Sequence, residues 1–282
     1  MSGAPARDLG AAPMLVQSKV LQDLERVAHA FSTRLGGISQ APYATLNLGM
    51  SVGDDPQAVA ENRRRFFGTF HLEPSHVVRV RQAHGDGVVR VDEALVSHER
   101  FPQLLLDEGV GYDALLTNLP GLALVVTTAD CLPLLIHDPV GGAVAAVHAG
   151  WRGTAKGIAA RAIQAMGAAY GTRPGDCRVA IGPGIGGCCY EVDAAVTDAM
   201  GRTLPTWKEH AVPTRAGHFR LSLAGVNRAI LERVGVRPEH IDNLGLCTVC
   251  RGDLFFSYRA EKPRTGRMMN LIVLRERQAP SA

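Results

Sequence analysis

Hydrophobic residues in the middle of the chain form short unbroken runs, a pattern typical of strands that are buried on both faces. The segment 27–33 instead alternates apolar and polar positions, which also predicts a strand. The predicted strands cover residues 27–33, 122–128, 142–147, 177–185, 255–258 and 268–274. Several of them are separated by segments with helical periodicity, so the pattern favours a sheet covered by helices.

A first helix is predicted to begin at Asp55-Pro56, because aspartate is a good N-cap and proline is favoured at the first helical position. Its apolar side chains recur on one face, and arginines 63–65 are predicted to point mostly outward. The side chains of the apolar face are Val59, Phe66, Phe67 and Phe70.

Two further helices complete the pattern. Thr154 is a candidate cap for a helix that ends at Tyr170, and 221–234 has a regular apolar stripe. We therefore expect an α+β (mixed α/β) fold, with one domain built on a mixed sheet and covered by helices. The expected boundaries are a flexible tail over 1–20 and a catalytic domain over 21–277.

Composition narrows the class of protein. The chain has 282 residues, with 30 lysines and arginines against 27 acidic residues and a net charge of +3. This balance argues against binding to nucleic acid, and no apolar run approaches the roughly 20 residues that span a membrane. The N-terminal residues lack the basic-then-apolar order of a secretory signal, so we expect a cytoplasmic protein.

Cysteine chemistry follows from this location. The six cysteines are Cys131, Cys177, Cys188, Cys189, Cys247 and Cys250. In a chain of this size without an export signal, reduced thiols are favoured over disulfides. One or more of them are therefore expected to bind a metal or to pack as buried thiols.

Three of the candidate metal ligands follow apolar segments. Cys131 comes after the run 122–128, His148 ends the run after it, and His84 follows the short segment 77–80. Strand ends at one edge of a sheet would bring the three together, and two histidines with one cysteine leave a position open for water or substrate, as in catalytic zinc sites. A packed thiol and hydrogen-bonded histidines are the alternative for each residue taken alone.

The segment His148 to Thr154 predicts an anion site beside that metal. It has two glycines, Arg152 and a capping threonine directly before a predicted helix, where free N–H groups and the helix dipole favour phosphate or carboxylate. An ordinary tight turn is the alternative interpretation.

Three other motifs carry less weight. Residues 182–187 match G-x-G-x-x-G, but a partner acid about 20 residues later is not convincing, so a nucleotide cofactor is not expected. Cys247-Thr-Val-Cys250 is a single C-x-x-C pair, so a structural zinc site is open but unsupported. His71-Leu-Glu73 combined with that pair does not satisfy the pattern of the zinc base deaminases.

Seven motifs in a fixed order reveal a resemblance that covers about 27–274. They are Ser32–Ser39, Leu46–Gly49, Gln82–Gly85, Thr128–Pro133, His148–Gly153, Ile181–Gly186 and Phe255–Arg259. The chain resembles the laccase-domain family, also called the YfiH or polyphenol oxidoreductase family. The resemblance implies a single mixed-sheet domain and a zinc site made by His84, Cys131 and His148.

Family members have been described as copper polyphenol oxidases, as peptidoglycan editing factors, and as purine nucleoside phosphorylases with adenosine deaminase activity. A multicopper oxidase needs many histidine ligands, whereas this chain has ten histidines and no His-x-His pair. A single His₂Cys copper site stays possible. Phosphorolysis of adenosine or inosine, and of methylthioadenosine as a further candidate, suits a zinc centre beside an anion site best.

This function assigns roles to several polar residues. The candidates for binding phosphate or ribose are Arg34, Asn47, Arg152 and Arg259. Gln82 and Asp130 flank the metal ligands, so Gln82 is placed with the substrate-binding residues and Asp130 with the catalytic ones. The expected partners are a purine nucleoside and phosphate, and the protein is expected to be a monomer or a weak homodimer.

Two alternatives stay open. One is a metal-dependent hydrolase that removes a wrong amino acid from a cytoplasmic cell-wall precursor. The other is a metal-stabilised binding protein in which a fourth side chain, Cys188 or Cys189, closes the coordination of the metal.

Overall fold

The chain folds into two central β-sheets that pack face to face, with helices on the outer face of each. The computed structural model describes residues 12–107, 109 and 111–276. The strands are β1 (Leu15–Val16), β2 (Val27–Ser32), β3 (Val77–Arg79), β4 (Val88–Arg90), β5 (Ala114–Thr117), β6 (Ala123–Thr128), β7 (Leu132–Asp138), β8 (Ala143–Ala149), β9 (Arg178–Ile181), β10 (Glu191–Val192), β11 (Ala211–Pro213), β12 (Phe219–Leu221), β13 (Ile241–Asn243) and β14 (Met268–Leu274). The helices are α1 (Lys19–Gln22), α2 (Pro56–Gly68), α3 (Glu93–Val96), α4 (Trp151–Ala155), α5 (Ile158–Tyr170), α6 (Ala194–Thr203), α7 (Leu223–Arg233) and α8 (Tyr258–Glu261).

Both central sheets are mixed. One has the order β1-β2-β14-β6-β3 and the other β13-β9-β7-β8-β5-β4. The pairs β3–β6, β4–β5 and β9–β13 are parallel. The other neighbouring strands of the two sheets, including the edge pair β1–β2, are antiparallel. A small third sheet has the order β10-β12-β11. The expectation of an α+β domain on a mixed-sheet core is confirmed.

Strand β7 shows how the sequence distributes the core between layers. Leu134 and Ile136 pack with the helices α5 and α7, whereas Leu135 packs with the other central sheet. Alternate residues of a strand point to opposite faces, so an unbroken apolar run supplies both interfaces at once. This explains why the middle of the chain lacks polar alternation.

Helix α2 covers the outer face of the five-stranded sheet. Asp55 caps it by accepting a hydrogen bond from the N–H of Gln57 (2.9 Å), and Phe66 and Phe67 pack on β14. The predicted start and apolar face are confirmed. Arg63 and Arg65 are corrections to the predicted outward face. The Nε of Arg63 donates to the carbonyl of Leu48 (2.8 Å), and the side chain of Arg65, paired with Glu61, is only 12% exposed.

Two other helix and strand predictions need correction. Thr154 does not cap a long helix, because it lies inside α4, and Gly157 with φ of +75° separates α4 from α5. A left-handed residue at that position ends one helix and lets the next begin in a new direction. Residues 255–258 do not form a strand, since Phe255 and Phe256 are buried in a loop and Tyr258 begins α8.

The N-terminal segment takes part in the fold from Leu15 onward. Leu15 and Val16 pair with β2, and Leu21 of α1 is fully buried. Of the predicted flexible tail over 1–20, residues 1–11 lie outside the described residues, and residues 15–20 contribute to β1 and α1. Within the described part of the chain, every helix is too short or too polar to cross a bilayer.

Candidate functional site

A β-hairpin brings Cys131 and His148 together. Cys131 directly precedes β7, and β7 is antiparallel to β8 with Pro133 opposite His148 and Leu132 opposite Ala149. The end of β8 therefore lies beside the start of β7. The sequence predicted this meeting from two neighbouring strand ends, but β6 belongs to the other central sheet, so the hairpin is the actual cause.

His84 reaches the same place from a loop that one buried carboxylate holds. Asp113, fully buried before β5, accepts hydrogen bonds from the backbone N–H groups of Ala83 (3.3 Å), His84 (3.1 Å) and Gly85 (2.7 Å). Its Oδ1 also lies 2.7 Å from Nδ1 of His148. A single side chain thus orients two of the three predicted ligands, as carboxylates behind metal-binding histidines do.

The three predicted ligands converge as expected. The ligand atoms of His84, Cys131 and His148 lie within 4.8 Å of one another, and the two imidazole rings are perpendicular with centroids 4.8 Å apart. Gly150 leaves room beside them, because a Cβ at that position would lie 3.0 Å from the sulfur of Cys131 and would crowd the thiol. With Nδ1 of His148 donating to Asp113, Nε2 is left as the ligand atom.

The surroundings favour the metal-binding form of the thiol. Burial raises the pKa of Cys131, but the neighbouring imidazoles of His148 and His84 outweigh this effect and lower that pKa to about 6. Burial lowers the pKa of His148, whereas the thiolate and the carboxylate of Asp113 raise it, and the net direction is upward. Without a metal, these shifts favour a thiolate at Cys131 beside a protonated His148, so a divalent cation would bind the thiolate directly and displace the proton from Nε2 of His148.

Substituting Asp113→Asn is expected to weaken metal binding about 10- to 100-fold. An amide has one acceptor oxygen in place of two, and its NH₂ would face the N–H groups of the loop that Asp113 now binds. Metal affinity, measured by competition with a chelator, tests this. Asp86→Asn is the matched control, because Asp86 lies in the same loop but pairs with Lys156 and Arg161. Equal affinities in the two variants would contradict the role of Asp113.

A cavity of about 730 Å³ opens beside the three ligands. Its wall is strongly basic. The arginines that line it are Arg63, Arg79, Arg81, Arg259 and Arg267. The rings of Tyr190 and Tyr258 also line it, so one cavity combines cationic groups, aromatic surface and the candidate metal centre.

Three of these arginines, Arg63, Arg79 and Arg267, lie where burial disfavours their charge and lowers their pKa. Burial and the nearby charge of Arg79 lower the pKa of Arg63 to about 10, and burial also lowers the pKa of Arg79. Half-buried like charges that line one cavity are expected to favour the binding of an anion there. The sequence carries a signal for this basic wall, since Arg79 and Arg81 alternate with apolar residues in a strand-like segment and so share one face.

Three of the predicted polar residues lie at the cavity. Gln82 accepts from the N–H of Thr127 (2.7 Å) and donates to its carbonyl (2.9 Å), which ties the loop of His84 to β6. Asp130 accepts from the hydroxyl of Thr248 and from the N–H of Arg259 (both 2.6 Å). Both carboxylate oxygens of Asp130 are therefore engaged, which suits positioning of the adjacent Cys131.

The other predicted substrate-binding residues do not line the cavity. The guanidinium of Arg34 pairs with Glu261 (2.7 Å), and that of Arg152 stacks on the ring of Trp151 (4.4 Å). Asn47 is fully buried, and its Oδ1 accepts from the N–H of Arg267 (2.9 Å). The basic group facing the centre is thus formed mainly by arginines that the motifs did not identify.

The fold and the site together define a mixed two-sheet protein with a candidate His₂Cys metal site at an arginine-lined cavity. Residues 28–275 match the family described as multi-copper polyphenol oxidoreductase laccase, and the chain belongs to this family. The resemblance seen in the sequence is confirmed.

Relatives and solved structures agree with this assignment. The chain is 42% identical over 255 residues to a purine nucleoside phosphorylase of Deinococcus radiodurans, covering 89% of this chain and 91% of the relative. It is 38% identical over 250 residues to purine nucleoside phosphorylase YlmD of Geobacillus stearothermophilus, covering 87% and 89%. The crystal structure of YlmD from that organism superposes with a TM-score of 0.83 at 36% identity, covering 90% and 93%. The crystal structure of Neisseria meningitidis protein NMB0706 superposes with a TM-score of 0.78 at 34% identity, covering 94% of this chain and 99% of that one.

Proposed function

We propose that this protein is a zinc-dependent purine nucleoside phosphorylase that acts on adenosine and inosine, with methylthioadenosine as a further candidate substrate. The observation that carries the proposal is the placement of five arginines, three of them half-buried, in the same cavity as His84, Cys131 and His148. A phosphorylase needs a binding site for phosphate next to the nucleoside, and guanidinium groups suit phosphate geometry well. The names of the relatives support the same reaction.

The donor set fits zinc. Two imidazole nitrogens and one thiolate are typical ligands of catalytic Zn²⁺, and the arrangement leaves a coordination position free for water or substrate. When bound, the metal would supply a Lewis acid that polarises an oxygen of the substrate or of water. Copper fits the same donors, so the choice of metal is part of the proposal.

The side chains of the cavity divide the work of phosphorolysis. Arg63, Arg79 and Arg267 bind phosphate and hold one of its oxygens toward the anomeric carbon. That oxygen forms the new C–O bond as the bond between carbon and purine nitrogen breaks, and the purine departs with the electron pair. Tyr190 and Tyr258 offer aromatic surface to the base. Asp113 and Asp130 act as positioning residues.

Adenosine deamination belongs to the same proposal. Water attacks the amino-bearing purine carbon, and ammonia leaves as inosine forms. Both reactions use one cavity, so adenosine has two fates that depend on whether phosphate occupies the basic wall. Deamination makes the protein a hydrolase as well as a transferase.

Oxidation of polyphenols by a multicopper centre is less well supported. Among the described residues, two groups of three or more metal-binding side chains occur, and the second consists of cysteines alone. A trinuclear copper cluster takes many histidine ligands, which such a group does not provide. We also propose a cytoplasmic location, where nucleosides and phosphate are available and thiols stay reduced.

Conversion of inosine tests the proposal directly. Zinc-loaded protein with phosphate is expected to yield hypoxanthine and ribose 1-phosphate by mass spectrometry. Adenosine is expected to yield inosine without phosphate and free base with it. Absence of both conversions at full metal occupancy would reject the function. Release of free serine from a mis-charged UDP-muramoyl precursor, with no action on nucleosides, would indicate the editing hydrolase instead.

A further inference from the structure

A second group of metal-binding side chains lies outside the cavity. It consists of Cys188, Cys189, Cys247 and Cys250, whose sulfur atoms all lie within 4.8 Å of one another. We call this group the four-cysteine cluster. The sequence showed a C-x-x-C pair without a second pair, and the fold supplies the missing one from two adjacent cysteines in the loop between β9 and β10.

We propose that the four-cysteine cluster is a second zinc site, structural in role, that joins the loop before β10 to the loop after β13. Sulfur atoms at the corners of a tetrahedron around zinc, with Zn–S of 2.3 Å, are about 3.8 Å apart. The sulfur of Cys250 lies 3.5 Å from those of Cys188 and Cys189. The cluster therefore has the size of a mononuclear tetrathiolate site.

The backbone around the cluster is arranged for a thiolate. The N–H of Gly186 donates to the sulfur of Cys247 (3.3 Å). A Cβ at Gly186 would lie 3.1 Å from the sulfur of Cys188 and 3.1 Å from the Cβ of Cys247, so a larger residue would crowd the cysteines. Peptide N–H groups directed at sulfur stabilise its negative charge, as second-shell donors do in metal sites.

The two loops already contact each other through their backbones. Gly184 forms an isolated parallel bridge with Cys247, and its carbonyl accepts from the N–H of Thr248 (3.0 Å). Cys247 is buried, whereas Cys188 and Cys250 are exposed, so a metal ion can enter from solvent. Metal–thiolate bonds would stabilise this contact between the two loops, which otherwise depends on few backbone hydrogen bonds.

Because of the position of the four-cysteine cluster, a metal bound there would also affect the cavity. Thr248, next to Cys247, donates to Asp130 (2.6 Å), and Asp130 precedes Cys131. Ile185, in the other loop, donates its N–H to the carbonyl of Asp130 (2.8 Å). Both joined loops therefore hold the residue beside the thiol ligand. The site binds zinc whatever the reaction at His84, Cys131 and His148.

The arrangement also excludes one expectation from the sequence. Cys188 and Cys189 were candidates for a fourth ligand that closes the site of His84, Cys131 and His148. Their sulfur atoms belong to the four-cysteine cluster instead and are not grouped with those three ligands among the described residues.

Zinc analysis separates the two sites. In the full-length chain carrying His84→Ala and Cys131→Ala, purified under reducing conditions, we expect about one zinc per chain by mass spectrometry of the metal. X-ray absorption of that zinc should show sulfur neighbours at about 2.3 Å. Adding Cys247→Ser and Cys250→Ser should remove the remaining zinc. Cys177→Ala, added in their place, is the matched control and should retain it, because Cys177 lies in the core beneath α5.

Zinc-free protein in the His84→Ala, Cys131→Ala background would overturn the proposal, as would a disulfide between any two cluster cysteines under the same conditions. Thiol alkylation of the wild-type chain covers the case in which the serine variant fails to fold. The cluster cysteines should resist iodoacetamide until a chelator is added, and then react. Rapid alkylation of all four before chelation would also overturn the proposal. Neither readout depends on phosphorylase activity.

Discussion

Replacing Cys131 by alanine is expected to lower kcat/KM for inosine phosphorolysis on the order of 10³-fold, because metal Lewis acidity supplies several kcal/mol and each 1.36 kcal/mol is tenfold in rate. The variant should also lose the metal of the cavity. Two imidazoles alone hold zinc poorly when the thiolate, the one anionic ligand of the three, is removed. Steady-state kinetics and metal analysis on the same preparation measure both effects.

The variant should nevertheless fold. Cys131 lies before β7 and lines the cavity, whereas the core is made by the strands and helices on either side of it. Cys177→Ala is the control with the opposite behaviour, since its thiol is fully buried in the core. That control should lose stability in urea and keep both metal and activity. Unfolding of Cys131→Ala together with metal loss would indicate that this site is structural and not catalytic.

Several strands of the central sheets could be predicted from the sequence, because an unbroken apolar run in a chain of this length has few interpretations other than a buried strand. The runs that become β6 and β8 were predicted, as were β2, β14 and the capped start of α2. The sequence did not predict which strands pair with one another. β6 and β7 are separated by only three residues, yet they belong to different sheets, and the backbone at Asp130, with φ of +92°, helps redirect the chain between them.

The candidate site shows a similar division. The candidate ligands His84, Cys131 and His148 could be predicted because their residue types are rare and each follows an apolar segment. Asp113 carries no such signal: it is one carboxylate among many in the sequence, and only its complete burial against the loop of His84 reveals its role. Arg267 was missed for the same reason, because its place at the cavity depends on a hydrogen bond from its N–H to Asn47.

The position of Arg34 and Arg152 outside the lining of the cavity has a physical cause. Both lie in glycine-containing motifs of the family resemblance, and the function that the resemblance implies was the argument for them. A guanidinium forms several hydrogen bonds and stacks on aromatic rings, so it is readily occupied by the fold itself. Arg34 has a carboxylate partner and lies over the ring of Phe256 (4.5 Å). The arginines that face the candidate metal site could therefore be identified only from the burial of their side chains and from the cavity that they line.

The adjacent residues Arg63 and Arg64 provide the sharpest test of the phosphate site. Arg63→Gln is expected to raise KM for phosphate about 10- to 100-fold, since a hydrogen bond to a charged group contributes about 1.5–3 kcal/mol. KM for inosine should change much less. Arg64→Gln, one position along α2, should leave both constants unchanged, because Arg64 is exposed and pairs with Glu61.

Thermal stability provides an independent measure of the same effect. The pKa of Arg63 is lowered by burial and by Arg79, so without phosphate its charge is held in an unfavourable place, and Arg63→Gln should lose little stability. At 100 times its Kd, phosphate should stabilise the wild-type protein by about 2.7 kcal/mol. If Kd rises 100-fold, the same phosphate concentration should stabilise the variant by only about 0.4 kcal/mol. Equal stabilisation of Arg63→Gln and Arg64→Gln would show that phosphate binds elsewhere, and the arginine-lined wall would then have to be assigned to another anionic group of the substrate.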